Sequence, residues 1–214
     1  PRRMQVRRLG RSGLEVSRLG LGTMSWGAAV DEYVAEEQLA TFVDAGGTLL
    51  DTAPIYGDGL CEQVIGSLLA KHSLRDRVVL AGKAGVVRRG GQVVTDGSLR
   101  SLLAQLDQSL KDLGTDHLDL WQIHRWDSTV PLDETMAALD QSVRSGRVRY
   151  AGISNFAGWQ TVAAQDSYVR LGGGVPLVST QIEYSLVHRE PEIETLPAAA
   201  HAGVGVLAWS PLGR

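Results

Sequence analysis

Short apolar runs alternate with longer segments of helical periodicity along the chain, and this alternation constrains the fold more than any other feature of the sequence. Such an order is typical of strand–helix units that build a parallel β-sheet. Seven strands are predicted from the apolar runs at residues 18–22, 48–52, 78–82, 118–123, 148–153, 177–181 and 204–209. Six helices are predicted between them, at residues 34–45, 61–72, 99–113, 132–144, 159–170 and 193–201.

The first residues follow a different pattern. Two alternating runs, at residues 5–9 and 14–17, flank a turn of glycine, arginine and serine at residues 10–13. Alternation about a Gly-rich turn predicts an antiparallel hairpin. Hairpin, strands and helices together predict an α/β protein, a (β/α)8 TIM barrel with an N-terminal β-hairpin.

A doubly wound open sheet is the main alternative fold, and it requires a Gly-rich phosphate turn directly after the first strand. Here that strand runs into Gly22, Thr23, Met24 and Ser25, without a GxGxxG motif. A partial GxGxxA match at residues 203–208 follows a predicted helix and enters a strand, which is the reverse of the order that dinucleotide binding needs. The barrel is therefore favoured.

Length limits how much of a barrel the 214 residues can form. A complete barrel of this kind takes ~250 residues. We therefore expect residues 1–214 to form a single barrel domain that is incomplete at its C-terminal side, with the eighth strand and the C-terminal helices absent. An open seven-stranded barrel would leave two strand edges unpaired, so we expect the sequence to be part of a longer chain.

Composition narrows the classes of partner and compartment. The net charge is −3, and the basic pairs at residues 2–3, 7–8 and 88–89 are short and scattered, so we expect no nucleic acid partner. No apolar run reaches the ~20 residues of a membrane span, so we expect no membrane partner. The lone cysteine, Cys61, excludes an internal disulfide, and a cytoplasmic location is expected.

Polar residues stand at the ends of three consecutive predicted strands. Asp51 ends the second strand, Lys83 the third and His124 the fourth, and Tyr56 follows Asp51 by five residues. In a barrel, the C-terminal ends of the strands converge on one mouth, where such residues are typically catalytic. Lys83 is one of three lysines and follows a buried run, so it needs an anionic partner, for which Asp51 is the natural candidate.

The four residues have complementary chemistry. A lysine ammonium beside a tyrosine favours the phenolate and lowers the pKa of the phenol, which makes it a better acid. An aspartate holds the lysine charged, and a histidine can orient a substrate oxygen. Such a group can protonate a carbonyl oxygen, whereas the hydride must come from a cofactor. A purely structural Lys83–Asp51 ion pair is the alternative interpretation.

The sequence at this point resembles the aldo-keto reductases. Residues 51–57 are similar to the family segment in which Asp and Tyr lie five apart, Lys83 matches the family lysine, and His124 followed by Asp127 matches the histidine segment. The resemblance implies a (β/α)8 barrel closed at the bottom by the N-terminal hairpin. It also implies reduction of a small-molecule carbonyl substrate with NADPH, with catalytic residues Asp51, Tyr56, Lys83 and His124.

The resemblance further implies a set of cofactor-binding residues. The loop after the first strand would touch the nicotinamide side, the ends of strands five and six would bind the carboxamide, and the end of strand seven would stack on the ring and begin the pyrophosphate loop. These positions are Gly22, Thr23, Met24, Asp51, Ser154, Asn155, Gln181, Trp209, Ser210, Pro211, Leu212 and Gly213. The family prefers NADP, but NAD is not excluded because the region after strand seven is absent.

Two other functions remain open at this stage. A cofactor-binding regulatory subunit of the same fold would bind the cofactor with little turnover. A metal-dependent hydrolase is disfavoured because His124 lacks a second histidine at a strand end, and no metal ligands are predicted. Candidate pocket residues are the aromatic side chains of Trp26, Trp126 and Tyr184. The substrate and the oligomeric state are not specified by the sequence.

Overall fold

The computed structural model describes residues 4–172 and 174–213, so the basic pair Arg2-Arg3 lies outside the described residues. The helices are α1 (Glu32–Asp44), α2 (Leu60–Lys71), α3 (Leu99–Leu113), α4 (Leu132–Arg144), α5 (Gly158–Arg170) and α6 (Thr195–Ala202). The strands are β1 (Val6–Arg8), β2 (Glu15–Ser17), β3 (Gly20–Gly22), β4 (Leu49–Asp51), β5 (Val79–Ala84), β6 (Val86–Arg89), β7 (Gln92–Thr95), β8 (Leu118–Ile123), β9 (Val148–Ser154), β10 (Ser179–Glu183) and β11 (Gly205–Trp209).

Seven strands form one parallel sheet in the order β3-β4-β5-β8-β9-β10-β11. Each neighbouring pair is parallel, and a helix lies in each connection, as the alternating sequence predicts. The order follows the chain without a reversal, which excludes the doubly wound alternative. The predicted barrel architecture is confirmed.

The sheet curls strongly, and one contact across it shows this directly. The Gln181 side-chain nitrogen in β10 donates to the Asp51 carboxylate in β4 at 2.9 Å. These strands are four places apart in the sheet, which would separate them by roughly 19 Å if it were flat. The C-terminal ends of distant strands therefore converge on a common interior.

The β1–β2 hairpin closes the opposite, N-terminal end of the sheet. The Arg11 backbone N–H donates to the Gly203 carbonyl at 2.9 Å, and the Ser17 N–H donates to the Thr48 hydroxyl at 2.9 Å. Hairpin and strand residues share a small apolar cluster, formed by Leu9, Leu14, Val16, Leu49, Ala81, Leu120 and Val178. The predicted hairpin and its place at the bottom of the barrel are confirmed.

The helices cover the outside of the sheet and bury the larger apolar core between the two layers. Helix α3 shows how the sequence sets their ends. The Ser98 hydroxyl accepts from the Ser101 N–H at the first turn, and Gly114 ends the helix at a left-handed φ of 62°. Among the described residues, no helix combines the length and apolar character needed to cross a bilayer.

Two predicted strand bounds near the mouth are wrong, and one hairpin there was not predicted. The third strand of the sheet extends through residue 84, so Lys83 lies inside β5 rather than after it. The sixth strand spans 179–183 instead of 177–181, which places Gln181 in its middle. The antiparallel hairpin β6–β7 was not predicted, although it pairs Val86 with Thr95 directly above β5.

Candidate active site

The structure brings Asp51, Tyr56, Lys83 and His124 together at the C-terminal end of the sheet. Asp51 is the last residue of β4, Lys83 the last but one of β5, and His124 follows β8 directly. These strands are neighbours, and Tyr56 begins the short 3-10 helix at 56–59 that leads into α2. Parallel pairing of neighbouring strands thus places Asp51, Lys83 and His124 side by side, and the turn after β4 brings Tyr56 to them.

The Lys83 ammonium is buried and fully engaged. Its Nζ donates to the Asp51 carboxylate at 2.6 Å, the Thr52 carbonyl at 3.3 Å and the Tyr56 hydroxyl at 3.5 Å. Burial by itself lowers the pKa of Lys83, but the adjacent Asp51 carboxylate and Tyr56 outweigh it and raise the pKa above its ordinary value. Lys83 therefore carries its charge at neutral pH.

Asp51 is fixed from two sides. One carboxylate oxygen accepts from Lys83 and the other from the Gln181 amide across the barrel. Both oxygens of the carboxylate are thus engaged within the protein. Gln181 has a structural role here in addition to the cofactor contact that the sequence predicts.

The net pKa of Tyr56 differs from the sequence-based expectation. Burial raises the pKa of Tyr56 above its ordinary value, and the Asp51 carboxylate acts in the same direction. The Lys83 ammonium lowers the pKa, as expected, but its effect is smaller than that of burial. The expected depression of the pKa is therefore wrong for the protein alone: Tyr56 holds its proton at neutral pH.

His124 stands against the edge of the tyrosine. The two ring centroids are 5.9 Å apart with an interplanar angle of 86°. Burial lowers the pKa of His124 to about 3, with the Lys83 and Arg125 charges acting in the same direction. His124 is therefore neutral at physiological pH and carries a single ring N–H with which to donate a hydrogen bond.

The predicted carboxamide-binding residues form a network that ties three strand ends together. The Asn155 amide nitrogen donates to the His124 carbonyl and to the Ser154 hydroxyl, each at 3.0 Å. The Asn155 amide oxygen accepts from the Trp209 indole N–H at 3.0 Å. Asn155 adopts a left-handed φ of 56°, which directs its side chain across the mouth rather than along the strand.

A cavity of about 720 Å³ opens among these residues. Its volume lies within the roughly 300–1,000 Å³ typical of small-molecule sites. The predicted site residues on its wall are Gly22, Thr23, Met24, Asp51, Tyr56, His124, Asn155, Gln181, Trp209 and Ser210. An adjoining cavity of about 520 Å³ shares five of them, Gly22, Asp51, Gln181, Trp209 and Ser210, and reaches Pro211.

The remaining predicted residues lie off the cavity wall. Lys83 is beneath it, and Ser154 is buried with its hydroxyl donating to the Gln181 carbonyl at 3.0 Å. Leu212 is fully exposed. Gly213 adopts a left-handed φ of 80° after the last strand.

None of the three aromatic residues expected to line the pocket does so. Trp26 is fully buried and donates from its indole to the Gln38 side chain at 2.8 Å. Trp126 packs edge-on against Phe156, and the Tyr184 hydroxyl donates to Glu192 at 2.8 Å. These side chains serve packing and surface contacts.

The cavity suits a nicotinamide ring on two observations. A Cβ added at Gly22 would meet no atom within 4 Å, so the wall is open there for a flat group to approach the backbone. The Gln181 side-chain oxygen takes no hydrogen bond from the described residues and is left to accept from a carboxamide. The residues present therefore fit the cofactor that the sequence resemblance implies.

Other residues of the wall were missed from the sequence. Ile55, Val86, Val93 and Arg125 line the same cavity as Tyr56. Val86 and Val93 belong to the β6–β7 hairpin, whose signal was available: two β-prone runs separated by a Gly-Gly pair at residues 90–91. Among the described residues, no cluster of three His, Cys, Asp or Glu side chains could hold a metal ion.

Fold and site together define a (β/α)8-type barrel with a Tyr/Lys/His/Asp cluster at the C-terminal mouth. The model of the aldo/keto reductase family matches residues 18–214. The chain therefore belongs to the aldo/keto reductase family.

Individual relatives include oxidoreductases. The chain is 44% identical, over 98% of its length, to "Uncharacterized oxidoreductase YrpG" of Bacillus subtilis (strain 168) and covers 67% of that protein. It is 32% identical, over 99% of its length, to "Aldo-keto reductase YhdN" of the same strain and covers 63% of it. It is 30% identical, over 94% of its length, to "Aryl-alcohol dehydrogenase [NADP(+)]" of Phanerodontia chrysosporium and covers 56% of it. The chain thus spans between 56% and 67% of these relatives.

Proposed function

We propose that the protein is an NADPH-dependent oxidoreductase that reduces aldehydes or ketones to alcohols, with Tyr56 as the general acid. The observation that carries this proposal is the contact of the Tyr56 hydroxyl with the charged Lys83 Nζ at 3.5 Å, on the wall of the cavity that His124 also lines. Family membership and the NADP(+) in the name of the fungal relative support it.

Tyr56 supplies the proton in this mechanism. Its raised pKa keeps the phenol protonated before the reaction, so the proton is present when a carbonyl oxygen gains negative charge. As the proton leaves, the phenolate comes to lie beside the Lys83 ammonium, whose charge Asp51 maintains. Lys83 therefore acts most strongly after proton transfer begins, and it stabilises the transition state more than the resting phenol.

His124 orients the carbonyl. The neutral imidazole has one N–H to donate to the substrate oxygen, and its edge-on contact with the Tyr56 ring sets that oxygen within reach of both side chains. A charged imidazole would compete with Tyr56 as the acid, whereas the neutral form does not. The low pKa of His124 is thus part of the proposed division of roles.

The cofactor, when bound, supplies the hydride that reduces the carbonyl carbon. We propose that Gln181 and Asn155 bind its carboxamide, with the buried Ser154 holding both residues from behind, and that Trp209 covers its ring. Gly22, Thr23 and Met24 would bound the opposite side, and residues 210–213 would begin the phosphate-binding loop. NADPH is favoured over NADH by the name of the fungal relative alone.

Cofactor binding is tested by titrating purified full-length protein with NADPH and NADH while its tryptophan emission is recorded. We expect saturable quenching, because Trp209 lies on the cavity wall. Gly22→Val should abolish the quenching, since its side chain would fill open cavity space without straining the backbone. Gly174→Val is the matched control, because an added Cβ there also meets no atom within 4 Å. If neither NADPH nor NADH quenches the emission, this assignment is refuted.

The acid role is tested with Tyr56→Phe, which removes the hydroxyl and keeps the ring. The rate of 4-nitrobenzaldehyde reduction should fall roughly 10²–10⁴-fold, the usual contribution of general acid catalysis. NADPH affinity should persist. Tyr33→Phe is the control, because Tyr33 is exposed on α1. Near-normal reduction by folded Tyr56→Phe protein would overturn the mechanism and leave Lys83–Asp51 as a structural ion pair.

The same assays separate the enzyme from a regulatory subunit of the same fold. NADPH binding without turnover of any simple aldehyde by the wild-type protein would favour the regulatory subunit.

We also propose a cytoplasmic location, because the buried Cys61 thiol is free and requires no oxidising compartment. Fractionation of cells that express the full-length protein checks this.

A further inference from the structure

Arg125 lies on the wall of the active-site cavity and has no role in the proposed mechanism. It follows His124 directly, is exposed, and lines the same cavity as Tyr56. The positive charge of Arg125 helps to lower the pKa of His124. A guanidinium on this wall can contact a substrate that is bound in the cavity.

The guanidinium of Arg125 has no carboxylate partner among the described residues. The nearby hairpin arginines are different, since Arg88 pairs with Asp58 at 3.1 Å and Arg89 pairs with Asp96. Asp51, the one acidic residue on the described cavity wall, is already paired with Lys83. The wall therefore presents one uncompensated charge, and that charge is positive.

The loop that carries Arg125 is held in place by its neighbours. The Asp127 carboxylate accepts from the Gly97 N–H at 2.9 Å and from the Thr129 N–H at 2.9 Å. These bonds tie the loop after β8 to the start of α3. The loop is thus anchored two residues after Arg125.

The surface beside Arg125 is apolar. Met24, Ile55, Val86 and Val93 line the same cavity, and Met24 and Val93 are more than half exposed. Apolar walls with one guanidinium suit a ligand that has an apolar body and one anionic group. A planar carboxylate matches the fork of an arginine in two parallel hydrogen bonds.

The position of Arg125 favours a substrate group over a cofactor phosphate. Arg125 follows β8, whereas Ser210 and Pro211, where the phosphate-binding loop is proposed to begin, follow β11. Two strands, β9 and β10, separate these ends in the sheet. Pro211 lines the adjoining cavity, and Arg125 does not, so a phosphate held beside Pro211 would lie outside the cavity that Arg125 lines.

We propose that Arg125 is a specificity residue that selects carbonyl substrates carrying a carboxylate on an apolar or aromatic body. This inference rests on the proposed function, because it assigns the substrate class of the same site. Arg125 binds the carboxylate, while Tyr56 and His124 act on the carbonyl oxygen at the other end of the substrate.

Turnover is measured with purified full-length protein and NADPH on the 2-, 3- and 4-formylbenzoates and on their uncharged methyl esters. For the best isomer, Arg125→Gln should lower the ratio of kcat/KM for the acid to that for the ester by roughly ten- to a hundredfold, as expected for loss of a charge-assisted hydrogen-bond pair. The loss should lie mainly in KM, because the carboxylate is bound equally before and during reaction. Arg125→Lys should restore part of the ratio.

Arg100→Gln is the matched control, because Arg100 is an exposed arginine on α3 away from the cavity. It should leave the ratio unchanged. The inference would be overturned if both substitutions changed the acid-to-ester ratio equally, or if neither changed it. A loss of NADPH affinity in Arg125→Gln would also overturn it.

Binding of the same formylbenzoate to the protein–NADP⁺ complex, measured by calorimetry, separates this inference from the proposed function. It needs no turnover, and Arg125→Gln should weaken it at least tenfold. Such weakening, with reduction of neither the formylbenzoate nor its ester by the wild-type protein, would support the carboxylate site and refute the enzyme. Ester reduction by the wild-type protein, with formylbenzoate affinity unaltered in Arg125→Gln, would support the enzyme and refute the carboxylate site.

Discussion

Lys83 is a buried charged residue that also contacts the proposed general acid, Tyr56. A buried ammonium without partners would cost several kcal/mol and would lose its proton instead. Three acceptors from Asp51, Thr52 and Tyr56 offset that cost and keep the charge in place. The same contacts that make Lys83 tolerable in the interior also bring it to the tyrosine hydroxyl.

Glu62 is a second buried charged residue, and it has no comparable compensation. It lies in the first turn of α2, is fully buried, and neither carboxyl oxygen has a hydrogen bond of ordinary geometry among the described residues. Burial raises the pKa of Glu62 from 4.5 to about 7, with Asp112 adding to the effect and Ser109 and Lys83 opposing it. Glu62 therefore destabilises the fold whenever it is ionised.

This shift predicts how stability depends on pH. Between pH 4.5 and about 7 the folded protein holds a proton on Glu62 that the unfolded chain releases, so stability falls as pH rises through this window. Above pH 7 the full penalty is present. From pH 5 to pH 8, the stability of Glu62→Gln should thus rise relative to that of the wild-type protein by roughly 2–3 kcal/mol.

Urea denaturation of full-length protein at the two pH values measures this difference. Glu37→Gln is the control, since Glu37 is exposed on α1 and its replacement should change stability little at either pH. A Glu62→Gln difference that stays constant between pH 5 and pH 8 would contradict the assigned pKa.

At the same scale, the sequence predicts the four polar residues of the mouth and the Lys83–Asp51 ion pair, which the structure confirms, but not the contacts that these residues make with other strands. Asp51, Lys83 and His124 are conspicuous because each ends or follows an apolar strand. The hydrogen bond from Gln181 to Asp51 joins residues 130 positions apart and exists only because the sheet curls. The lack of a carboxylate partner for Arg125 among the described residues is equally a product of tertiary structure, because it depends on where every nearby carboxylate lies.

At the scale of elements, the β6–β7 hairpin shows how a local signal can be overlooked. Its two strands flank a Gly-Gly turn with left-handed φ values of 56° and 80°, the conformation that a tight hairpin requires. The barrel pattern, with one strand and one helix in each unit, predicts no hairpin in this segment. The hairpin adds Val86 and Val93 to the cavity wall.

Strand ends are less predictable than strand cores. The apolar pair Leu177 and Val178 predicts an earlier start for β10, but the strand begins at Ser179. The Leu177 N–H instead donates to the Gln165 side chain of α5 at 2.9 Å, so helix packing takes over the start of this run. Hydrophobic patterns identify the buried segment, whereas hydrogen-bond partners decide where it begins.

At the scale of the whole molecule, the candidate active site and the hairpin that closes the barrel lie at opposite ends of the sheet. The polar cluster and its cavity lie at the C-terminal ends of the strands, while the β1–β2 hairpin covers the N-terminal ends. The hairpin turn enters a tight space: a Cβ on Gly10 would lie 2.7 Å from both the Gly205 nitrogen and the Val178 carbonyl oxygen. These are backbone atoms that cannot rotate away.

Gly10→Ala should therefore destabilise the barrel without altering the active site. Gly10 has a left-handed φ of 57°, which costs about 1–2 kcal/mol for alanine, and overpacking against backbone adds to this, so we expect a total loss of roughly 2–4 kcal/mol. Gly13→Ala in the same turn is the matched control, since its Cβ would meet only the Tyr150 hydroxyl at 3.8 Å. Denaturant unfolding of both full-length variants measures the difference in the free energy of unfolding. The rate of 4-nitrobenzaldehyde reduction, recorded without denaturant, shows whether the active site is altered. Equal stability of the two variants would show that the hairpin is not held at Gly10, and a large fall in kcat for folded Gly10→Ala would show that the two ends are coupled.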